Sequence, residues 1–220
     1  MSLFPSRAYF SSLKKPLRAL RPLVAVTRAS GVTWLAVPFY VVAARRDFGI
    51  ADATTAWFVG AHVVGALVGN VVGGWMIDRH GSRRMILACV VVAALTPAVA
   101  LLAPFAGWQI LAVAAGLTGA TTTGKAVGYE SAVLELVPTR RRPSYVGTYA
   151  FLTLPVAFMP LLGGAIASAS SYETLFGVTT AGLLGAVLAV WRWSEGASYP
   201  RQRTAVRRSR RWKLAGEDQR

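Results

Sequence analysis

The chain has 220 residues, of which 54% are hydrophobic and only 15% charged, with mean hydropathy +0.46 and formal net charge +15. Soluble domains carry about a quarter charged residues, so water is excluded as the solvent of most of this chain. Nucleic acid is excluded as a partner too, because the lysines and arginines cap apolar runs instead of forming one face or stripe.

A helix needs about 20 apolar residues to cross a hydrocarbon core of about 30 Å. The first run that qualifies is 23–44, preceded by Lys14, Lys15, Arg18 and Arg21. It is too long for a cleaved signal core and reads as an uncleaved anchor. Arg28 lies inside it, about 8 Å from its basic end at 1.5 Å per residue. It finishes in Phe39 and Tyr40, residues of the kind that line membrane interfaces, and is followed by Arg45 and Arg46.

The second run is 53–77. It carries His62, Asn70 and the row Gly65, Gly69, Gly73 at four-residue spacing. Apolar burial does not drive helix association in lipid, so small residues that admit close backbone approach mark packing seams. His62 reads either as a proton carrier or, by preference, as a neutral histidine bonded to a neighbouring helix. The third run, 85–104, holds the lone Cys89 and no charge, so no disulfide forms within the chain and the redox compartment is not legible.

The fourth run, 108–137, is the most polar. It contains Thr121, Thr122, Thr123, Lys125, Glu130 and Ser131, with a second small-residue row at Ala120, Gly124 and Gly128. Lys125 sits about 18 Å deep, near the midplane, and Glu130 about 10 Å deep. A charge at the centre of a span costs at least about 2.5–3.5 kcal/mol, so each needs a partner or a watery cavity. Lys125 and Glu130 lie about 140° apart around the helix and do not pair within it; Arg28, at the depth of Glu130, is the expected partner. Glu135 is expected to meet arginines of the adjoining turn. Runs five (144–169) and six (172–193) follow, with Arg140, Arg141 and Arg142 before them and a basic, turn-rich tail after.

Twenty of the 24 lysines and arginines fall on one side, against Arg45 and Arg46 on the other. Basic loops stay in the cytoplasm, which predicts a multi-pass inner-membrane protein with both termini cytoplasmic. The domain plan is a basic arm (1–22), a six-helix bundle (23–193) and a basic, disordered tail (194–220). Pro38, Pro97, Pro155 and Pro160 lie within spans, where neighbouring helices must satisfy the carbonyls they free.

The turn after the second run, "GGWMIDRHGSRRM", orders Gly74, Asp78, Arg79, Gly81, Arg83 and Arg84. Gly81 permits a tight reversal, Asp78 is an acceptor at a helix end, and the arginines hold the turn in the cytoplasm. The stretch resembles the signature turn after the second helix of each half in major facilitator superfamily (MFS) transporters. "VPFYVVAARRDFGI", "LELVPTRRRPSYVG" and "PLLGGAIA" resemble the C-terminal six-helix half of bacterial twelve-helix members. The resemblance covers residues 16–193 and makes residues 1–22 similar to the linker between halves.

That resemblance implies an all-α fold equal to half a transporter, and a cavity lined by the first and fourth helices. It also implies a latch of Asp78, Arg79, Arg83 and Arg84 that breaks and reforms during alternating access. The missing partner would be a second six-helix half, as a separate chain or an identical copy. Arg28, Lys125, Glu130, Asn70 and His62 are the candidate solute or ion pathway, and Gly65, Gly69, Gly73, Gly124 and Gly128 the candidate packing positions. Related proton antiporters end their fifth helix in Gly-Pro, two residues, Gly-Gly. Here Pro160, Gly163 and Gly164 match while Val146, Pro155 and Met159 replace glycines, which does not support antiport; a proton stays a candidate coupling ion. The rival reading is a non-transporting six-helix accessory module or a truncated transporter. No nucleophile–base or metal constellation is present, so neither enzymatic activity nor a cofactor is expected.

Overall fold

The computed structural model describes residues 20–136 and 142–195. The basic arm up to residue 19, Arg140, Arg141 and the tail beyond residue 195 lie outside the described residues. The described residues form six helices long and apolar enough to span a membrane: α1 (Leu20–Phe48), α2 (Asp52–His80), α3 (Ser82–Ala100), α4 (Gln109–Leu136), α5 (Arg142–Ala169) and α6 (Tyr172–Glu195). The protein is an all-α, multi-pass membrane protein.

Helix ends depart from the apolar text at α1 and α3. α1 continues through Arg45 and Arg46 to Phe48, ended by Gly49 at φ 60°, whose N–H closes on the Arg45 carbonyl. Arg45 then bridges to Asp52 at the start of α2, and Arg46 lies over the Tyr172 ring at the start of α6. α3 is shorter than expected: it ends at Ala100, and Pro104 belongs to a separate single turn, Ala103–Ala106.

Both α1 and α5 break near their middles. In α1 the α-helix gives way to a 3-10 segment, Gly31–Leu35, before Pro38 and the outer helix Phe39–Phe48. Pro38 has no N–H to offer the Trp34 carbonyl, which the α-helical ladder would require. In α5 the 3-10 segment Leu154–Phe158 contains Pro155, and Pro160 opens the segment that follows. The two breaks meet. A Cβ on Gly31 would fall 2.6 Å from Val156, and one on Gly163 would collide with the Leu35 carbonyl.

α2 crosses α4 at backbone contact. A Cβ on Gly65 would run into the Gly116 carbonyl, one on Gly69 into that of Ala120, and one on Gly119 into that of His62. Gly73, Gly124 and Gly128 serve a different seam: each would meet side chains of α3, namely Met85, Cys89 or Ile86. The rows thus bring backbones close enough for dispersion contacts to hold the helices together where apolar burial does not.

Packing makes two apolar cores, one toward each membrane face. Toward the basic end lie Leu23, Val26, Ile86, Val90, Val133 and Leu183; toward the opposite end lie Tyr40, Phe58, Leu111, Leu175 and Phe176. Buried Ser30, Thr33 and Lys125 lie between them.

The seam yields a direct test. Gly65→Val should destabilise the protein by about 1–3 kcal/mol through overpacking, read as a lower melting temperature in detergent. Gly185→Ala, where a Cβ meets nothing within 4 Å, should leave it unchanged.

Candidate functional site

The centre of the bundle is organised by α1, whose hydroxyls recur every three residues: Thr27, Ser30 and Thr33. Each turns its proton back onto its own helix. Thr27 donates to the Leu23 carbonyl (2.9 Å), Ser30 to that of Thr27 (3.1 Å) and Thr33 to that of Ser30 (2.9 Å). Their oxygens are therefore left to accept, and a neighbour supplies a donor to each. The Tyr149 hydroxyl of α5 lies 2.8 Å from Thr27 Oγ1, the Tyr129 hydroxyl of α4 lies 2.5 Å from Ser30 Oγ, and Lys125 Nζ of α4 lies 2.7 Å from Thr33 Oγ1. These three rungs climb from the basic end to the midplane. Hydroxyls bonded to the preceding turn bend helices, and the α-helix stops at Ser30, where the ladder is densest.

Lys125 is only 6% exposed. Its ammonium also reaches the Ser30 carbonyl at 3.5 Å, so it is held by two α1 oxygens and by no carboxylate among the described residues.

Arg28 does not pair with Glu130, correcting the expectation from their equal depth. Its Nε donates instead to the Leu152 carbonyl of α5 at 2.9 Å. Leu152 lies just before the 3-10 segment Leu154–Phe158, where the α-helical ladder is interrupted, and so the break in α5 provides the acceptor. Arg28 and Glu130 are both exposed. Glu135 accepts from Ser82 Oγ (3.0 Å) at the start of α3; Arg140 and Arg141 of the adjoining turn, where its partners were expected, lie outside the described residues.

His62 is half-buried and lines a cavity of about 200 Å³ with Val37, Tyr40, Phe58 and Thr118, between α1, α2 and α4 in the half away from the basic end. Asn70 is exposed on α2. The threonines of α4 are turned inward on their own helix: Thr121 bonds the Leu117 carbonyl (2.9 Å) and Thr122 that of Thr118 (2.7 Å). Of the expected pathway residues, Lys125 meets α1 and Arg28 meets α5, His62 lines a separate cavity, and Glu130 and Asn70 are exposed. The sequence reading missed Thr27, Ser30, Thr33, Tyr129 and Tyr149. The three-residue recurrence of hydroxyls in "TRASGVT" was the available signal.

The Gly74–Arg84 stretch forms a one-residue joint. Gly81, at φ 86°, is at once the residue that ends α2 and the one that precedes α3, a backbone conformation that strains any residue with a Cβ. Asp78 and Arg84 are exposed, and Arg79 lies 4.9 Å over the Trp75 ring. Gly74 has open space where a Cβ would stand.

Residues 23–217 match the Major Facilitator Superfamily. The chain belongs to that family. Among curated proteins it is 27% identical over 170 residues to solute carrier family 2, facilitated glucose transporter member 8 of Mus musculus, and 29% identical over 170 residues to the protein of that name from Bos taurus. Each alignment takes 75% of this chain but 30% of the relative, so the chain spans less than a third of the length of these relatives. In this facilitator-family bundle the ladder joins α1 to both α4 and α5.

Removing one rung should be measurable. Tyr129→Phe should cost about 0.5–1.5 kcal/mol, the scale of a hydrogen bond between membrane helices. Lys125→Met and Thr33→Val should be non-additive by about 1–2 kcal/mol, because each strands the other's polar group. A double-mutant cycle of unfolding free energies in mixed micelles checks both.

Proposed function

We propose that this chain forms one half of an alternating-access transporter that moves a small polar solute across the cytoplasmic membrane, with both termini cytoplasmic. One observation carries the reading beyond family membership. In their most apolar windows only 17% of α2 and 11% of α5 are buried, against 50% of α3. α2 presents Trp57, Val64, Leu67 and Val71, and α5 presents Phe151, Phe158 and Leu161. Two flanking helices with bare faces suit docking of a second six-helix unit, either a separate chain or a copy of this one. The uncovered faces of α2 and α5 are mainly apolar, with Asn70 among the exposed polar residues of α2; Arg28 on α1 and Glu130 on α4 are exposed charges.

In this reading Arg28, Glu130, Asn70 and His62 line the solute pathway between the halves. Lys125 acts on the pathway from within the wall, by holding the broken centre of α1. Asp78, Arg79, Arg83 and Arg84 form the latch at the cytoplasmic mouth, where the Gly81 joint keeps α2 and α3 antiparallel. Transport then rests on differential binding of the solute as the halves rock. The relatives' name makes glucose the first solute to test, and a proton stays a candidate coupling ion. A second reading, a non-transporting membrane module, draws on the internal satisfaction of Lys125, but the unpaired Arg28 and Glu130 speak against it.

Solute uptake into proteoliposomes holding the full chain, alone and co-purified with any bound six-helix partner, is the test. Asp78→Ala should slow uptake at least tenfold while leaving the melting temperature within about 1 °C, since Asp78 is exposed and surface changes shift stability by less than about 0.5 kcal/mol. Reporter fusions should place the Gly81 turn inside the cell and Gly49 outside. The opposite orientation, or unaltered uptake in the variant, would remove the latch.

A further inference from the structure

The hydroxyl ladder ends at the Lys125–Thr33 rung, and the turns beyond it enclose a space instead of a contact. Tyr40 stands seven residues past Thr33 on α1, and Thr118 seven residues from Lys125 on α4, each about 10 Å along its helix. Between them and α2 lies the cavity of about 200 Å³. Val37, Val41, Val59 and Ala115 give it aliphatic walls, and the Tyr40 and Phe58 rings line it as well. Val59 is exposed, so the mouth opens on the side of α2.

Of the three polar side chains on this cavity, two are already spent. Thr118 donates to the Ala114 carbonyl (2.8 Å), which leaves its oxygen for the Tyr40 phenol; both residues are buried. His62 is not spent. It is half-buried ten residues into α2, about 15 Å from the outer end of that helix. Among the described residues its imidazole has no hydrogen-bond or ion-pair partner. A polar group at that depth of a bilayer needs a partner, and the cavity is the space from which one can reach it.

Size, lining and charge each limit that partner. A cavity of about 150 Å³ with apolar walls takes a benzene ring, so this one has room for a ring and a small substituent. Among the described residues no lysine, arginine, aspartate or glutamate lines it, so an ionised head would lie near the midplane without a counter-charge. A sugar fares worse. One imidazole cannot serve its several hydroxyls, and each one left against valine or alanine weakens binding by about fivefold or more. A single hydroxyl is the head that an uncharged imidazole satisfies, through its bare nitrogen or its N–H.

We propose that this cavity binds a compact, uncharged aromatic molecule with one hydroxyl, of the phenol type. Its ring lies among Tyr40, Phe58 and the valines, and its hydroxyl bonds His62. This deepens the place given to His62 on the solute pathway by naming what it holds, while the binding itself needs neither a gradient nor a second half.

The test uses the full chain in lipid nanodiscs at about pH 8, where histidine is ordinarily uncharged, with para-fluorophenol as the probe. The chain has two histidines, so isotope-labelled histidine gives one nuclear magnetic resonance signal from His62 and one from His80, an internal control about 27 Å along α2. The probe should move the His62 imidazole signal saturably and leave His80 in place. Its fluorine signal should report binding about three- to tenfold tighter than that of fluorobenzene, the scale of one hydrogen bond, and His62→Leu should abolish the difference. Val59→Phe fills the mouth from an exposed position and should weaken both probes by about tenfold or more. It decides the matter if His62→Leu fails to fold, as judged by gel filtration and circular dichroism. Equal affinity for the two probes in the unaltered chain, or unchanged affinity in Val59→Phe, would overturn the site. So would signals of both histidines that drift together without saturating, the mark of partition into lipid. Tighter binding of para-fluorobenzoate, or a His62 shift produced by glucose, would overturn the ligand class. None of these results touches the transport reading, which uptake into proteoliposomes decides.

Discussion

Inside a bilayer no water is at hand to satisfy a stray polar group, and much of this bundle follows from how α1 meets that condition. Its hydroxyls at positions 27, 30 and 33 are each a donor to a carbonyl and an acceptor for a neighbour. They convert one helix into a polar edge on which α4 and α5 can register. The apolar cores on either side are non-directional and would tolerate sliding or rotation. The rungs do not, because each needs its own donor at its own height.

The same condition explains why the two broken helices sit together. A 3-10 segment and a proline both disturb the carbonyl ladder, and an isolated break in lipid would be expensive. Here Lys125 reaches the freed region of α1, and Arg28 takes the Leu152 carbonyl beside Pro155. Gly31 and Gly163 let the two irregular stretches approach to backbone contact. Cationic side chains thus do structural work at the breaks, with Lys125 wholly enclosed and Arg28 half committed.

Much of this architecture was legible in the linear text. Six apolar runs of spanning length and the Gly81 reversal specify the helices and the one-residue joint, since hydrophobic length and glycine backbone freedom are local properties. Helix ends were less legible. Arg45 and Arg46 look like loop residues, yet α1 carries them because Asp52 and the Tyr172 ring receive their charge. The partners of interior charges were illegible, for depth along a helix is readable but azimuth is not. Arg28 and Glu130 share a depth, yet Arg28 turns to the Leu152 carbonyl of α5. Lys125 seemed suited to line a cavity, whereas a position at the middle of α4 faces whichever helix the packing sets beside it. The small-residue rows were visible, but the sequence could not tell that Gly65 and Gly69 serve α4 while Gly124 and Gly128 serve α3.

The direction of the hydroxyl bonds along α1 has one further consequence. Every rung ends on an amide oxygen, which has no hydrogen to pass onward. Each pair of bonds closes within one turn of α1, so the spine is fastened at separate stations, and a fault at one of them need not spread to the next.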